Sequence, residues 1–125
     1  MSKNCYCGNP KPFTECCEIF IKGIQKPPTA EKLMRSRYSA YATQAIDYLI
    51  EATHVLTRKY YSKEDILDWS KSNHWMNLEI LNSSESSVEF KAYYIDANLK
   101  AHTHHEKSKF KKEGQIWFYL EGTVY

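Results

Sequence analysis

All four cysteines of this 125-residue chain lie within its first 17 residues, and this clustering constrains the chain more than any other feature. The segment reads C-Y-C-G-N-P-K-P-F-T-E-C-C, so two close pairs, Cys5/Cys7 and Cys16/Cys17, flank one short loop. Zinc binds four Cys thiolates in a tetrahedron, and two pairs joined by a loop supply that set. Gly8 follows the first pair, where the backbone has to bend and can direct its N–H toward a sulfur. The spacing predicts one structural zinc ion per chain.

Two other uses of the cysteines are open on the same residues. Four cysteines allow three disulfide pairings in a secreted protein. A redox dithiol usually has Cys-x-x-Cys spacing, which neither pair has. No apolar segment of a signal peptide precedes the first cysteine, and no apolar run is long enough to span a membrane. We therefore expect a cytoplasmic protein with reduced thiols, and this favours a metal over a disulfide or a redox site.

The cysteine segment resembles the SEC-C motif, a small zinc-binding module. The usual form of that motif is Cys-x-Cys-Gly-Ser-Gly-Lys-Lys-Tyr/Phe, followed by Cys-His or Cys-Cys. Beyond the cysteines, Gly8, Lys11 and Phe13 match it. Asn9 stands where Ser is usual and Pro10 where Gly is usual. We expect these two changes to tighten the loop without removing a metal ligand.

Two later segments extend the resemblance over nearly the whole chain. They are P-T-A-E-K-L-M-R-S-R-Y-S-A-Y, from Pro28 to Tyr41, and H-E-K-S-K-F, from His105 to Phe110. With the cysteines, they make the chain similar to the YchJ-type family, in which a SEC-C motif precedes a nuclear transport factor-like domain. The resemblance implies an α+β fold, in which a cone-like curved antiparallel sheet (nuclear transport factor-like or cystatin-like) packs on N-terminal helices beside a small zinc-binding lobe. It implies no particular reaction.

The residues themselves predict a division of the chain and helices in its first half. Lys26-Pro27-Pro28 is a stiff link, so we divide the chain into a SEC-C lobe, residues 1–26, and an α+β domain, residues 27–125. We expect the link to limit contact between them, so that the domain folds without zinc. Thr29 is a candidate N-cap. Apolar residues at steps of three and four then predict one helical face, formed by Met34, Tyr38, Tyr41, Ala45 and Tyr48.

Further signals predict two more helices and four strands. A bend near Thr43-Gln44 and a new helix at Asp47 are expected, and Ser62 with Asp65 resembles a capping box that opens a helix to about Lys71. After His74 the apolar residues alternate with polar ones, which is typical of half-buried strands. The predicted strands cover residues 75–81, 88–94, 101–111 and 115–121. Helices followed by an antiparallel meander indicate an α+β domain.

The third strand carries the most suggestive chemistry outside the cysteines. Alternation places His102, His104, Glu106, Ser108 and Phe110 on one face. Two His, a Glu and a Ser beside a large aromatic predict a polar pocket on the packed side, with Glu106 as a base. A second metal bound by His102, His104 and Glu106 is one alternative. The other, which is the simpler interpretation, is an exposed or half-buried strand whose Lys residues are solvated and whose Glu pairs with a cation.

Helix residues that precede this strand complete the candidate pocket. A buried Glu106 carboxylate needs a cation or donors, and Arg35 or Arg37 is the candidate, with Arg37 preferred. An Arg here would also bind an anionic ligand bidentately. The alternative is one structural ion pair and one surface Arg. Tyr38 and Tyr41 are added as pocket candidates, although core positions with hydroxyls at the rim are the simpler interpretation.

Two function classes follow from these observations. The favoured one is a binding or adaptor module whose SEC-C lobe docks a protein or ribonucleoprotein partner. The alternative is a small enzyme or small-molecule-binding protein that uses the pocket of the cone-shaped domain. The sequence has no nucleophile elbow, phosphate loop or dinucleotide fingerprint. The formal charge of +2 falls to zero when four thiolates bind one zinc ion, so composition does not favour a nucleic-acid-binding surface.

Overall fold

Helices form the first half of the chain and a four-stranded antiparallel sheet forms the second half, as expected. A computed structural model describes residues 4–125. The elements are a 3₁₀ turn at Phe13–Glu15, helices α1 (Cys17–Ile21), α2 (Ala30–Thr43), α3 (Ile46–Glu51), α4 (Val55–Arg58) and α5 (Lys63–Ser72), and strands β1 (His74–Ser83), β2 (Ser87–Ile95), β3 (Ala101–Glu113) and β4 (Ile116–Val124). Within residues 4–125, each helix is too short or too polar to cross a membrane. The α+β prediction is confirmed.

The helix boundaries follow from the caps that the sequence carries. The Thr29 hydroxyl accepts a hydrogen bond from the Lys32 N–H at 3.1 Å, which begins α2. Gln44 adopts a left-handed conformation with φ of 61°, and this ends α2 at the predicted bend. The Ser62 hydroxyl accepts from the Asp65 N–H at 3.3 Å and begins α5. Local hydrogen bonding therefore sets where the chain turns from one helix to the next.

Helix α2 is buried on more sides than the predicted apolar face requires. Met34 and Tyr38 of that face are buried, but so are the polar residues Ser36, Arg37 and Ser39. The helix packs against α1, α3 and strands β1, β2 and β4. A helix with neighbours on several sides has to satisfy polar groups internally, so its hydrophobic periodicity underestimates its burial.

The sheet is a simple meander with strand order β1-β2-β3-β4. Register shifts occur in β1 and between Lys109 and Phe110 of β3. Such bulges bend a strand and increase its twist, so the sheet wraps around α2. The β3 residues Glu106 and Ser108 lie beside Val124 and Gly122 of β4. This pairing brings the polar face of β3 next to the end of the chain.

The cysteine loop belongs to the main hydrophobic core, which corrects the expectation that the proline link limits contact. Cys5, Cys7 and Cys17 are buried in the same cluster as Leu33 and the sheet residues. Arg35 ties the loop to α2, since its Nη1 donates to the Cys7 carbonyl oxygen at 2.8 Å. The link joins the two parts along the chain, but α2 packs against both of them. The bounds 1–26 and 27–125 stay a prediction.

Removing residues 1–26 should therefore destabilise the sheet domain. The truncation uncovers the side of α2 that includes Leu33 and leaves a core surface open to water. Losing a large core contact typically costs about 2–5 kcal/mol, so we expect the free energy of unfolding to fall by at least about 2 kcal/mol. Urea unfolding of the intact chain and of residues 27–125 measures the difference. Equal stability would show that the domain is independent of the lobe.

Candidate functional site

The four cysteine sulfurs converge on one point. All four Sγ atoms lie within 4.8 Å of one another. Cys5 and Cys7 precede a bend at Gly8, whose φ is 89°, while Cys16 and Cys17 lie at the start of α1. The Sγ–Sγ distances are 3.8 Å for Cys7 and Cys16 and 4.0 Å for Cys16 and Cys17. Two sulfurs on one tetrahedral zinc are about 3.8 Å apart, so the cluster fits a four-coordinate metal ion.

The disulfide alternative does not describe this arrangement. All four cysteines are free thiols. A disulfide needs sulfurs about 2.05 Å apart, which is much shorter than the distances within the cluster.

Neighbouring groups orient the sulfurs. The Ser39 hydroxyl of α2 lies 3.6 Å from the Cys5 sulfur. Asn9 Nδ2 donates to the Cys16 sulfur at 3.5 Å, so the residue that departs from the usual motif supplies a donor to a metal ligand. The Gly8 N–H donates to the Cys5 carbonyl oxygen at 3.0 Å. Our expectation that Gly8 directs its N–H toward a sulfur is therefore wrong, because the tight turn uses that donor.

The thiols differ in acidity because they share protons within the cluster. Hydrogen bonds from Cys17 and Cys7 lower the pKa of Cys5 well below its usual value. Hydrogen bonds to Cys5 and Cys7 raise the pKa of Cys17. Burial raises the pKa of Cys16 to about 11. The free cluster therefore holds protons that a bound metal ion would displace.

A cavity of about 400 Å³ lies between helices α2 and α5 and the sheet. Six of the seven predicted pocket residues line it: Arg37, Tyr38, Tyr41, His104, Glu106 and Ser108. Arg35 does not, because its Nε donates to Glu31 at 3.1 Å and its Nη1 to the Cys7 carbonyl oxygen. The other wall residues are mostly aromatic or small: Met34, Tyr61, Trp69, Trp75, Phe90, Ala92, Tyr119, Glu121, Gly122 and Val124.

Three side-chain donors hold the carboxylate of Glu106 in this cavity. His104 Nε2 lies 2.8 Å from Oε1. The hydroxyls of Ser108 and Tyr119 donate to Oε2 at 2.5 and 3.1 Å. Burial alone would raise the pKa of Glu106, but the hydrogen bonds from His104, Ser108 and Tyr119 outweigh it and hold that pKa below its usual value. Glu106, whose side chain is 12% exposed, is therefore a largely enclosed and ionised carboxylate at neutral pH.

The expected ion pair between Glu106 and Arg37 is wrong. Arg37 Nη1 donates to the Leu49 carbonyl oxygen at 3.1 Å and to the Thr53 hydroxyl at 3.3 Å. Its guanidinium carbon lies 4.3 Å from the centroid of the Tyr119 ring, while the hydroxyl of that ring bonds to Glu106. Three side chains donate to Glu106 without an Arg, and Arg37 is engaged by the Leu49 carbonyl oxygen of α3.

The alternative of a second metal ion bound by His102, His104 and Glu106 is also wrong. His102 Nε2 lies 2.7 Å from Asp96 Oδ2 at the surface, while His104 faces Glu106. Among residues 4–125, the four cysteines form the one group of His, Cys, Asp or Glu that is placed to hold a metal ion.

Sequence reasoning missed several residues of the cavity. Tyr119 and Trp75 were not among the predicted pocket residues, although alternation along the last strand places Tyr119 on one face with Trp117. Gly122 gave no signal, yet a Cβ there would collide with the Glu106 carboxylate, 2.6 Å from its Cδ. The Tyr38 hydroxyl and Trp75 Nε1 are buried without a hydrogen-bond partner in the described part of the chain.

The fold and the cysteine cluster define a class of protein, namely a nuclear transport factor-like α+β domain with an N-terminal cluster arranged to hold a metal ion. The family model described as the middle nuclear transport factor 2-like domain of YchJ matches residues 29–122. The chain belongs to this YchJ-type family, as the resemblance implied.

Relatives and solved structures agree with this assignment. A UPF0225 protein of Geobacter sulfurreducens is 38% identical over 98% of this chain and 80% of its own length. One from Serratia proteamaculans is 35% identical over 98% of this chain and 84% of its own length. The solution structure of a SEC-C motif containing protein from Rhodopseudomonas palustris superposes with a TM-score of 0.90 at 31% identity, covering 98% of this chain and 99% of that one.

The geometry of the cysteine cluster predicts a bound metal. Protein purified under reducing conditions without chelator should contain about one equivalent of metal ion per chain by elemental analysis. Cys7→Ser should lose most of that metal, because it removes a buried ligand from the cluster. Ser39→Ala is the control, since its hydroxyl touches a ligand sulfur without being one. Equal metal content in Cys7→Ser and the control would contradict the assignment.

Gly122 should be necessary for the position of the Glu106 carboxylate. Gly122→Ala forces that carboxylate away from Ser108 and Tyr119, so we expect a loss of about 1–3 kcal/mol of stability. In a Glu106→Ala background the collision with the carboxylate is gone, so the same change should cost less. A double-mutant cycle measured by urea unfolding gives the difference. Equal costs in the two backgrounds would show that Gly122 does not act through Glu106.

Proposed function

We propose that this protein binds a small molecule in the cavity beside α2, while a structural zinc ion holds the cysteine loop against the same helix. The observation that carries the proposal is the ionised Glu106 carboxylate, which three side chains hold inside a cavity of about 400 Å³ with aromatic walls. Ligand sites are typically apolar concavities of this size with a few convergent polar groups.

The polar groups of the cavity argue against a simple packing defect. Burying a carboxylate costs several kcal/mol unless it is hydrogen-bonded, and apolar residues of similar volume are often the more stable choice. Glu106 nevertheless lies there with donors from β3 and β4. Arg37, which is 6% exposed, adds a second charge to the same cavity wall. An arrangement that is costly for stability is typical of a functional site.

Zinc is the metal that fits the cysteine cluster best. Four thiolates without a His or a carboxylate are the ligand set of structural zinc, and they leave no coordination position open for a substrate. Cys5, Cys7, Cys16 and Cys17 would hold the ion, which would add its binding free energy to the stability of the lobe. Because the cluster lies in the main core, this stabilisation would extend to α2.

Two further proposals concern the cellular location of the protein and its binding partner. Reduced thiols are typical of the cytoplasm, so we place the protein there. Docking of a protein or ribonucleoprotein partner on the cysteine lobe stays a prediction, and the half-exposed ring of Tyr6 on that loop is where such a contact would begin.

Small molecules that are retained by the purified protein test the proposal directly. Native mass spectrometry and solvent extraction should find molecules on the wild-type chain, and Ala92→Leu should lose them because the larger side chain fills the cavity wall. Ala97→Leu, at an exposed turn, is the matched control and should retain them. Circular dichroism checks that both variants are folded. An identical set of molecules on folded Ala92→Leu, or none on the wild type, would contradict the proposal.

A further inference from the structure

Arg37 has an unused hydrogen-bonding edge inside the cavity. Both of its protein acceptors, the Leu49 carbonyl oxygen and the Thr53 hydroxyl, bind to Nη1. Nε and Nη2 make no hydrogen bond of good geometry with residues 4–125, and the side chain as a whole is buried. The Tyr41 hydroxyl nevertheless lies close to the guanidinium: burial raises the pKa of Tyr41, and Arg37 partly offsets that rise. Within residues 4–125, the enclosed side-chain atoms without a hydrogen-bond partner are the Tyr38 hydroxyl and Trp75 Nε1. Nε and Nη2 of Arg37 are not in this group, so they are accessible. Because Arg37 lines the cavity, this edge is available to a molecule bound there.

We infer that the cavity takes a small aromatic carboxylate, whose carboxyl group binds to the Nε–Nη2 edge of Arg37. This inference rests on the proposed function and names the chemical class of its ligand. The parallel N–H groups of a guanidinium edge match the two oxygens of a carboxylate. Stacking on Tyr119 and the two hydrogen bonds of Nη1 fix the plane of the guanidinium before a ligand binds. The entropy cost of ordering the Arg37 side chain on binding is therefore small.

The other charges of the cavity favour a carboxylate over a phosphate. Arg37 and the Glu106 carboxylate line the same cavity, and Glu121 lies at its exposed edge. His104 also lines the cavity, and its Nε2 lies 2.8 Å from Glu106 Oε1. A phosphate dianion would meet two carboxylates with one guanidinium to balance it. A monoanion is matched by Arg37 alone.

The walls of the cavity favour an aromatic body for this ligand. Trp69, Trp75 and Tyr41 contact one another with ring centroids 4.9 to 5.6 Å apart and form one side of the cavity. Phe90 and Tyr119 line it from the sheet. Flat rings pack against such walls in offset or edge-to-face geometry, with a gain beyond simple burial. The ligand would therefore combine a planar apolar body with one anionic head.

A series of three probes with the same body and different heads tests this inference. The probes are phenylacetate, phenylacetamide and 2-phenylethylammonium, and each is titrated into the intact, metal-loaded chain. Calorimetry and the fluorescence of Trp69 and Trp75 in the cavity wall measure binding. We expect phenylacetate to bind about tenfold more tightly than the amide, or better, and the ammonium to bind most weakly. Equal or tighter binding of the amide or the ammonium would overturn the inference. Inorganic phosphate that competes with phenylacetate at equal concentration would also overturn it.

Arginine variants locate the effect. Arg37→Gln should remove the preference for phenylacetate over phenylacetamide. Arg58→Gln is the matched control, because Arg58 also donates to backbone carbonyls, those of Glu51 and Thr53, but does not line the cavity. A preference that survives in folded Arg37→Gln would overturn the inference, and if this variant does not fold, the head-group comparison on the wild type decides. If no probe binds but Ala92→Leu still loses the molecules that the wild type retains, the ligand class is wrong and the proposed function stands. If no probe binds and no retained molecule is lost in Ala92→Leu, both the ligand class and the proposed function are wrong.

Discussion

Helix α2 is buried on several sides, and both the cysteine loop and the cavity form against it. Ser39 and Arg35 face the cysteine loop, where they contact the Cys5 sulfur and the Cys7 carbonyl oxygen. Arg37 and Tyr38 line the cavity on another side of the same helix. A helix of 14 residues without these neighbours would be only marginally stable in water. The cysteine cluster and the cavity therefore depend on one element, and each contributes to the burial that stabilises it.

Most elements of the fold could be predicted because their signals are local, although the short helix α4 was not predicted. Caps such as Thr29 and the alternation along β2 and β3 act over a few residues, and the structure follows them to within two or three positions. Contacts between distant segments could not be predicted in this way. The cysteines were assigned to metal binding alone, although Cys5 and Cys7 also fill the core. The alternation indicated the antiparallel meander, and the family resemblance added the curvature of the sheet.

The candidate site shows the same difference between local and distant information. Alternation along β3 correctly put Glu106 and Ser108 on the inner face. It carried no information about the partner of that carboxylate, because Tyr119 comes from β4 and its position depends on a bulge after Lys109. A buried carboxylate suggests an Arg by charge, but the side chains of His104, Ser108 and Tyr119 satisfied it instead. Arg37 thereby kept the free edge on which the ligand proposal rests.

Amide hydrogen exchange with and without bound metal tests the central claim, that the cysteine loop and the cavity share one core through α2. Removing the metal should lower protection in the loop and also along α2, including the amides of Arg37 and Tyr38, because the loop packs against that helix. A loss of protection confined to residues 4–26, with α2 and the sheet unchanged, would contradict the account and show that the lobe is an independent unit.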